Sequence, residues 1–304
     1  MARARVSVVV PAHDAAPYLE AALDGLLAEL PADGEVVVVD DGSTDATPDV
    51  LAHYRDRITV LRNDAASGPG PARNRGAAHA SGDVLAFHDA DDLVLPGRLG
   101  ALLPVLESDP DVALVFGDGR RIDAGGATLG RVIPRRYARR LRSEVGPREL
   151  LDGSFIYPQA LCVRRSLFES LGGFGEGFKR GSLATGVAED WEFALRVSLR
   201  GRIRFVDRPV FAYRRHPASV TERDAADCAE ANLAMLEHLV GTHPEIVARV
   251  GRGAVAGAIA RRMARLARHL ERSGRRDDAR EILDRAIGLA PRSLRLRWRR
   301  RKLG

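Results

Sequence analysis

Three aspartates, Asp89, Asp91 and Asp92, stand within four positions of one another just past an apolar run, Val84-Leu85-Ala86-Phe87. Crowded carboxylates repel, so such a cluster either faces water or meets a positive group. A second acidic pair, Asp40-Asp41, closes the run EVVVVD, and Gly42 behind it allows a tight turn. Carboxylate oxygens suit Mg²⁺ or Mn²⁺, ions that keep waters and share substrate phosphates instead of filling a full protein cage. A divalent cation would relieve the repulsion between Asp89 and Asp91. A carboxylate at an earlier strand end can instead accept hydrogen bonds from a base N–H or ribose hydroxyls. The chain holds neither G-x-x-x-x-G-K-[ST] nor G-x-G-x-x-G, so phosphate binding falls to a metal.

Those carboxylates need a sheet to hold them. Val6–Val10 is β-branched; it follows basic residues, is too short for a signal peptide and breaks at Pro11, His13 and Asp14, so it reads as a first strand. Pro17–Leu30 has helical apolar spacing with Pro17 in its first turn. Glu35–Asp40 reads as a strand covered on both faces, and Ser43-Thr44-Asp45 offers caps for a helix to about Arg55. Ile58–Leu61, Val84–Phe87 and Val112–Phe116 read as further strands, Pro71–Ala80 and Pro96–Leu106 as helices. The alternation predicts a parallel sheet with helices on both faces, and ligands bind such sheets at the carboxyl ends of the strands. From Gly119 to Arg148, Arg and Gly with Pro134 and Pro147 read as a loop or lid. Regularity returns with Tyr157–Val163, a helix around Ser166–Leu171, a helix from about Ala188 to Leu199, and two short strands, Arg202–Val206 and Val210–Tyr213. From about Asp224 the chain is helical.

Composition sets the outer limits. At 304 residues and 45% hydrophobic, the chain can bury a full core. No apolar run approaches the ~18–20 residues of a membrane span. Cys162 and Cys228, without a C-x-x-C, read as two buried thiols of a reducing cytosol. Arg252–Gly304 holds 17 basic and 5 acidic residues and the remainder 30 and 36, so a body of −6 carries a tail of +12. That tail suits either a helical extension packed on the body or a surface for anionic lipid, because Leu294, Leu296 and Trp298 interleave with arginine. No nucleic-acid motif accompanies the charge, so no nucleic-acid partner is expected.

Together these stretches resemble the family 2 glycosyltransferases. The resemblance is carried by VSVVVPAHD (Val6–Asp14), VVVVDDGSTDAT (Val36–Thr47), GPGPARNRGAAHASGDVLAFHDADD (Gly68–Asp92), GGFGEGF (Gly172–Phe178), AEDWEFALR (Ala188–Arg196) and YRRHPASVT (Tyr213–Thr221), and covers about residues 4–222. The chain departs from the family in His13-Asp14, usually Tyr-Asn, and His88, usually Leu; the first bears on base stacking and ribose contacts. The resemblance implies an α/β GT-A fold with a mainly parallel central sheet. Residues 1–223 would form the catalytic domain, with a nucleotide-binding half (1–118) and an acceptor-binding half (119–223), and residues 224–304 an Arg-rich helical extension.

It implies metal-dependent, inverting transfer of a sugar from a UDP-, dTDP- or GDP-sugar to a hydroxyl of a glycan, lipid-linked or small-molecule acceptor. Asp41 then sits against the base, and Pro11, His13 and Asp14 line the same pocket. Asp89 and Asp91 form the D-x-D pair toward donor and metal (Mn²⁺ or Mg²⁺), His216 completes the metal site, and Arg73 lies near the donor. Glu189-Asp190-Trp191 opens a helix, where the dipole favours negative charge, as it does in any acidic first turn. The family match makes Asp190 the base that takes the acceptor proton. It puts Glu189 and Trp191 on the acceptor side, though Trp191 equally suits the core, and makes GGFGEGF a flexible loop beneath the acceptor. The expected location is cytoplasmic, with peripheral contact at the inner membrane face through the tail. A sugar nucleotidyltransferase would instead carry a phosphate loop where this chain has PAHDAAPY, and a non-catalytic nucleotide-sugar-binding protein would have no need of Asp190 or the D-x-D pair.

Overall fold

The computed structural model describes residues 4–141, 145–153, 155–183, 185–216, 219 and 224–303. Pro217, Ala218, Val220 and Thr221 of the YRRHPASVT stretch lie outside them. The chain opens with β1 (Val6–Ala12), α1 (Ala16–Glu29), β2 (Glu35–Asp41), α2 (Thr47–Ala52), β3 (Thr59–Asn63), α3 (Pro69–His79) and β4 (Val84–Phe87). Strands β1 and β2 read as unbroken valine runs because both faces are covered, and Val8, Val9, Val37 and Val38 are wholly buried. Helix α1 buries Leu19, Ala22, Leu23 and Leu26, the i, i+3, i+4, i+7 face that its spacing predicts. Helix α2 is shorter than expected: Asp45 accepts from the Thr47 amide, but Ser43 turns to the Asp14 amide instead of capping.

The remaining strands are β5 (Leu93–Val94), β6 (Val112–Ile122), β7 (Thr128–Arg131), β8 (Leu161–Arg164) and β9 (Arg202–Arg214). Among them run α4 (Arg98–Ser108), α5 (Arg135–Leu141), α6 (Pro147–Leu151), α7 (Arg165–Ser170) and α8 (Glu189–Arg200). One sheet carries the order β3-β2-β1-β4-β8-β6-β9-β5, with β7 beside β6. The first four strands pair in parallel, while β8 inserts antiparallel between β4 and β6. The chain steps outward from β1 to β3 and returns to β4 on β1's other side. That reversal leaves a crevice at the strand ends bearing Asp14, Asp41 and Asp89.

Where residues 119–148 are described, they are not the loop that their composition suggests. Strand β6 continues to Ile122 and turns into β7, and α5 and α6 follow. Buried Asp118 organises the turn, accepting from the Gly119 and Ile133 amides and pairing with Arg131 at 2.5 Å. Likewise, the two expected late strands are one, because β9 runs through Asp207-Arg208-Pro209 by shifting register against Gly117–Gly119.

Helices α9 (Ala225–Thr242), α10 (Pro244–Val250), α11 (Arg252–Arg272), α12 (Arg276–Leu289) and α13 (Leu294–Lys302) complete the chain. Met235, Leu236, Leu239, Ile246, Val255 and Ala258 join the apolar core of the sheet, so the start of the extension shares that core. Ala260, Leu266, Leu270, Leu283 and Leu296 form a second cluster among the last helices. Cys162 and Cys228 are both buried thiols that no disulfide joins.

Helix α3 lies close on the sheet because residue 76 has no side chain: a Cβ there would come 2.4 Å from Val9 Cγ1 and 3.1 Å from Val39 Cγ2. Gly76→Ala should therefore destabilise by overpacking, by ~1–3 kcal/mol less the ~1 kcal/mol that alanine gains as a helix former. Gly100→Ala, on an exposed turn of α4 with nothing within 4 Å, should stabilise by that helix term alone. Urea midpoints of the two variants should move in opposite directions at unchanged m.

Candidate active site

The first acidic strand end is a closed network. Asp41 is buried, and its carboxylate accepts from the Ser67 amide (3.0 Å), the Gly68 amide (2.8 Å), the Ser67 hydroxyl (2.8 Å) and the Asn63 side chain. Burial opposes its charge, but these donors hold the carboxyl below its ordinary value. Much of the acceptor capacity expected to meet a nucleotide base is thus spent on the 63–68 segment. Gly42 makes the turn at φ +71°, where a Cβ would strike the Ala65 backbone at 2.8 Å. Exposed His13 points Nδ1 at the Asp41 carbonyl oxygen, 2.8 Å away, and half-buried Pro11 precedes it on β1. Asp14 accepts from the Thr44 amide (2.8 Å) and ties the β1 loop to the β2 loop. Asp14 (φ 47°) and Ala188 (φ 70°) are the non-glycine residues with positive φ among the described ones, and both border this crevice.

At the second strand end the three aspartates part company. Asp92 turns inward and is held by the Gln159 side chain and the Arg214 amide (2.8 Å). Asp89 stays partly exposed and pairs with Arg73 at 2.6 Å. Asp91 faces His216 at 3.1 Å, and the imidazole of His216 packs on the Tyr18 ring at 5.0 Å. Burial and the neighbouring Asp89 charge push the Asp91 carboxyl up; burial with Asp91 and Asp89 raises Asp92 further. Behind the cluster, burial and the charge of Arg98 push His88 down to about 3, so it is neutral. Buried Arg98 donates to the Phe87 carbonyl at 2.6 Å. The positive group that pairs with a carboxylate of this cluster is Arg73, while Arg214 donates from Nε to the Asp91 carbonyl oxygen at 3.1 Å.

Arg73 joins this end to the start of α8. Its side chain is 4% exposed, and it pairs with Glu189 at 2.6 Å as well as with Asp89. Burial works against the guanidinium charge, and the two carboxylates more than offset it. Glu189, expected on the acceptor side, is engaged in this buried bridge. Next to it, half-buried Asp190 accepts from the Trp191 amide at 2.7 Å. Burial and then the Glu189 charge push its carboxyl up to about 7. Trp191 is core: it is 1% exposed, donates from Nε1 to the Leu150 carbonyl at 2.8 Å, and lies under the Arg262 guanidinium at 4.3 Å. It offers no face to an acceptor.

GGFGEGF is not a free loop. Asn74, which carried no signal beyond its place in the ARN stretch, clamps Phe174 through both backbone groups, at 2.7 and 2.9 Å. Gly175 comes so close to α3 that a Cβ on Gly70 would sit 2.4 Å from its carbonyl oxygen. Tyr18, Gln159 and Arg214 also escape the sequence reading, since each acts through a partner distant in the chain.

For a divalent cation the best-suited atoms are the facing Asp91 carboxylate and His216 imidazole, whose other ring nitrogen is buried without a partner among the described residues. Asp89 lies beside them but is engaged by Arg73. Among the described residues no three His, Cys, Asp or Glu side chains converge as a protein cage. Donor phosphates and water would complete such a site, as Mg²⁺ and Mn²⁺ commonly require.

A model described as glycosyl transferase family 2 matches residues 7–172. The Bacillus subtilis protein EpsH is 26% identical over 238 residues, covering 76% of this chain and 67% of its own length. The succinoglycan biosynthesis protein ExoO of Rhizobium meliloti is 41% identical over 99 residues, 32% of this chain and 28% of its own. The chain thus spans 28% to 67% of the length of these curated relatives. The fold matches the mannosyltransferase PcManGT of Pyrobaculum calidifontis, solved with GDP-Man and Mn²⁺, at a TM-score of 0.65 and 22% identity over 97% of this chain and 78% of that one.

Removing one partner from a buried ion pair strands the other charge, at a cost of ~3–5 kcal/mol. Arg73→Met should lower stability by about that much. Adding Glu189→Gln should recover part of the loss, because the stranded carboxylate is then gone. A double-mutant cycle in urea reads the coupling; additive losses would show that Arg73 and Glu189 do not act as a pair.

Proposed function

Because the chain belongs to glycosyl transferase family 2, we propose that it transfers a sugar from a UDP-, dTDP- or GDP-sugar to a hydroxyl of a glycan, lipid-linked or small-molecule acceptor, with inversion. The observation that carries this reading is Asp190. It is a half-buried carboxyl pushed up to about 7, and Glu189, Arg73 and Asp89 link its helix to the D-x-D end. Such a group is matched to take a hydroxyl proton near neutral pH. As the acceptor oxygen bonds to the anomeric carbon, the bond from that carbon to the diphosphate breaks and the nucleoside diphosphate leaves with the electron pair. Asp190 receives the acceptor's proton. Pro11, His13, Asp14 and Asp41 line the nucleotide side within residues 1–118, and residues 119–223 supply the acceptor side. Asp91 and His216, with Asp89 adjacent, would hold Mn²⁺ or Mg²⁺. When bound, the ion supplies Lewis-acid stabilisation of the departing diphosphate. PcManGT, solved with GDP-Man and Mn²⁺, supports both donor class and metal.

No helix among the described residues is long and apolar enough to cross a membrane. A panel of nucleotide sugars, assayed for nucleotide release with and without Mn²⁺, tests the reading; silence across the panel in the presence of acceptor pools would overturn it.

Asp190→Asn should lower transfer by ~10²–10⁴ while donor affinity by calorimetry stays near wild type. The protonated acid cannot accept a proton, so wild-type turnover should fall about tenfold per pH unit below about 7. The variant's residual rate should lose that limb. A collapse of donor binding would instead put Asp190 on the donor side.

Asp91→Asn should remove metal-dependent turnover with the fold intact, since this carboxylate contributes charge at a strand end and little packing. Near-normal activity of the variant in Mn²⁺ would refute the ligand role.

A further inference from the structure

The last helix, α13, has two unlike faces. At ~100° per residue, Leu296, Arg299, Arg300 and Leu303 fall on one side. Leu296 and Leu303 are buried, Arg299 pairs with Glu271 at 2.7 Å, and Arg300 pairs with Asp284 at 2.8 Å. Leu294, Arg295, Arg297, Trp298, Arg301 and Lys302 fall on the other side, and all six are exposed. Leu294 is 80% and Trp298 58% exposed, and Leu289 at the end of α12 is 40% exposed. Three of the five exposed large apolar side chains among the described residues thus sit in the last sixteen positions. Lys302 lies 4.1 Å over the Trp298 ring. Among the described residues, Arg295, Arg297 and Arg301 form no ion pair.

A second set of cations flanks this face. Arg265 and Arg272 on α11 are exposed, and Arg268 between them is half-buried. Burial and the charges of Arg299, Arg295, Arg265 and Arg272 push the Arg268 guanidinium down. Like charges from α11 and α13 therefore converge on Arg268, and of these Arg299 pairs with a carboxylate, Glu271. The acids that α13 does meet, Glu271 and Asp284, belong to the extension itself and neutralise only its inward face.

We propose that the outer face of α13, with the α11 arginines at its flank, docks on the surface of an anionic lipid bilayer. An exposed leucine and tryptophan one helical turn apart, ringed by arginine and lysine, match the headgroup boundary. There the apolar side chains leave water and the cations meet lipid phosphates. A nucleic acid or an acidic protein would use the cations but leave Leu294 and Trp298 unaccounted for.

The test uses the full chain and reads binding, not transfer, so its failure leaves the transferase reading untouched. Vesicles of phosphatidylglycerol mixed with phosphatidylcholine should sediment the protein at low salt, and pure phosphatidylcholine should not. High salt should weaken the binding, because screening acts within about 10 Å at 0.1 M. Trp191 is buried, so a blue shift of emission on adding vesicles reports Trp298. Replacing Arg295→Glu, Arg297→Glu and Arg301→Glu together should weaken binding at least about tenfold. Trp298→Ser should abolish the blue shift. All four side chains are exposed, so circular dichroism should be unchanged. Failure to bind anionic vesicles, equal binding by the triple variant, or binding to soluble polyphosphate without any vesicle-induced shift would each overturn the proposal.

Discussion

Arg73 holds a full positive charge where almost no water reaches, and it keeps that charge only because two carboxylates approach it at 2.6 Å. One comes from the segment after β4 and the other from the start of α8, a hundred residues later in the chain. Neither position is set by local sequence. A buried guanidinium without partners would cost several kcal/mol, so the fold is stable only with both segments in place. Helix α3 reaches that position because Gly76 lets it lie on Val9, and the Phe174 ring fills the space beside the guanidinium at 5.5 Å. Packing on the sheet and the geometry of the crevice are in this respect one constraint.

The same crevice treats its carboxylates in two ways. Asp14 and Asp41 are surrounded by amides and hydroxyls and are held ionised, which suits groups that fix loops around a ligand. At Asp91 and Asp190, burial with neighbouring negative charge outweighs the hydrogen bonds and raises both. A raised carboxyl is poised to gain from a cation or a proton, which is the physical ground for proposing Asp91 as a metal ligand and Asp190 as the base.

How much of this is legible in the sequence depends on how local its cause is. Strands β1 and β2 show as valine runs because both faces are covered, and α1 shows as a 3.6-residue stripe because one face is. The acidic strand ends show because crowded carboxylates are conspicuous and sit where α/β sheets bind ligands. Residues 119–148 do not show, because their order comes from buried Asp118 reaching Arg131 and the Ile133 amide, and from Gly119 lying under Phe211. Glu189 and Trp191 stand in a conspicuous motif, yet their roles are set by Arg73 and by the Leu150 carbonyl, and no spacing rule reports either.

Trp191 has a consequence for chimeras. Its indole is covered by Arg262, which belongs to the extension, while its neighbour in sequence is the candidate base. The sheet domain and the trailing helices are therefore bridged by a stacked pair. A chimera joining this sheet to another member's helices would bare the indole unless residue 262 came with it. Residues 191 and 262 thus form one contact, and a change at either is felt by the other.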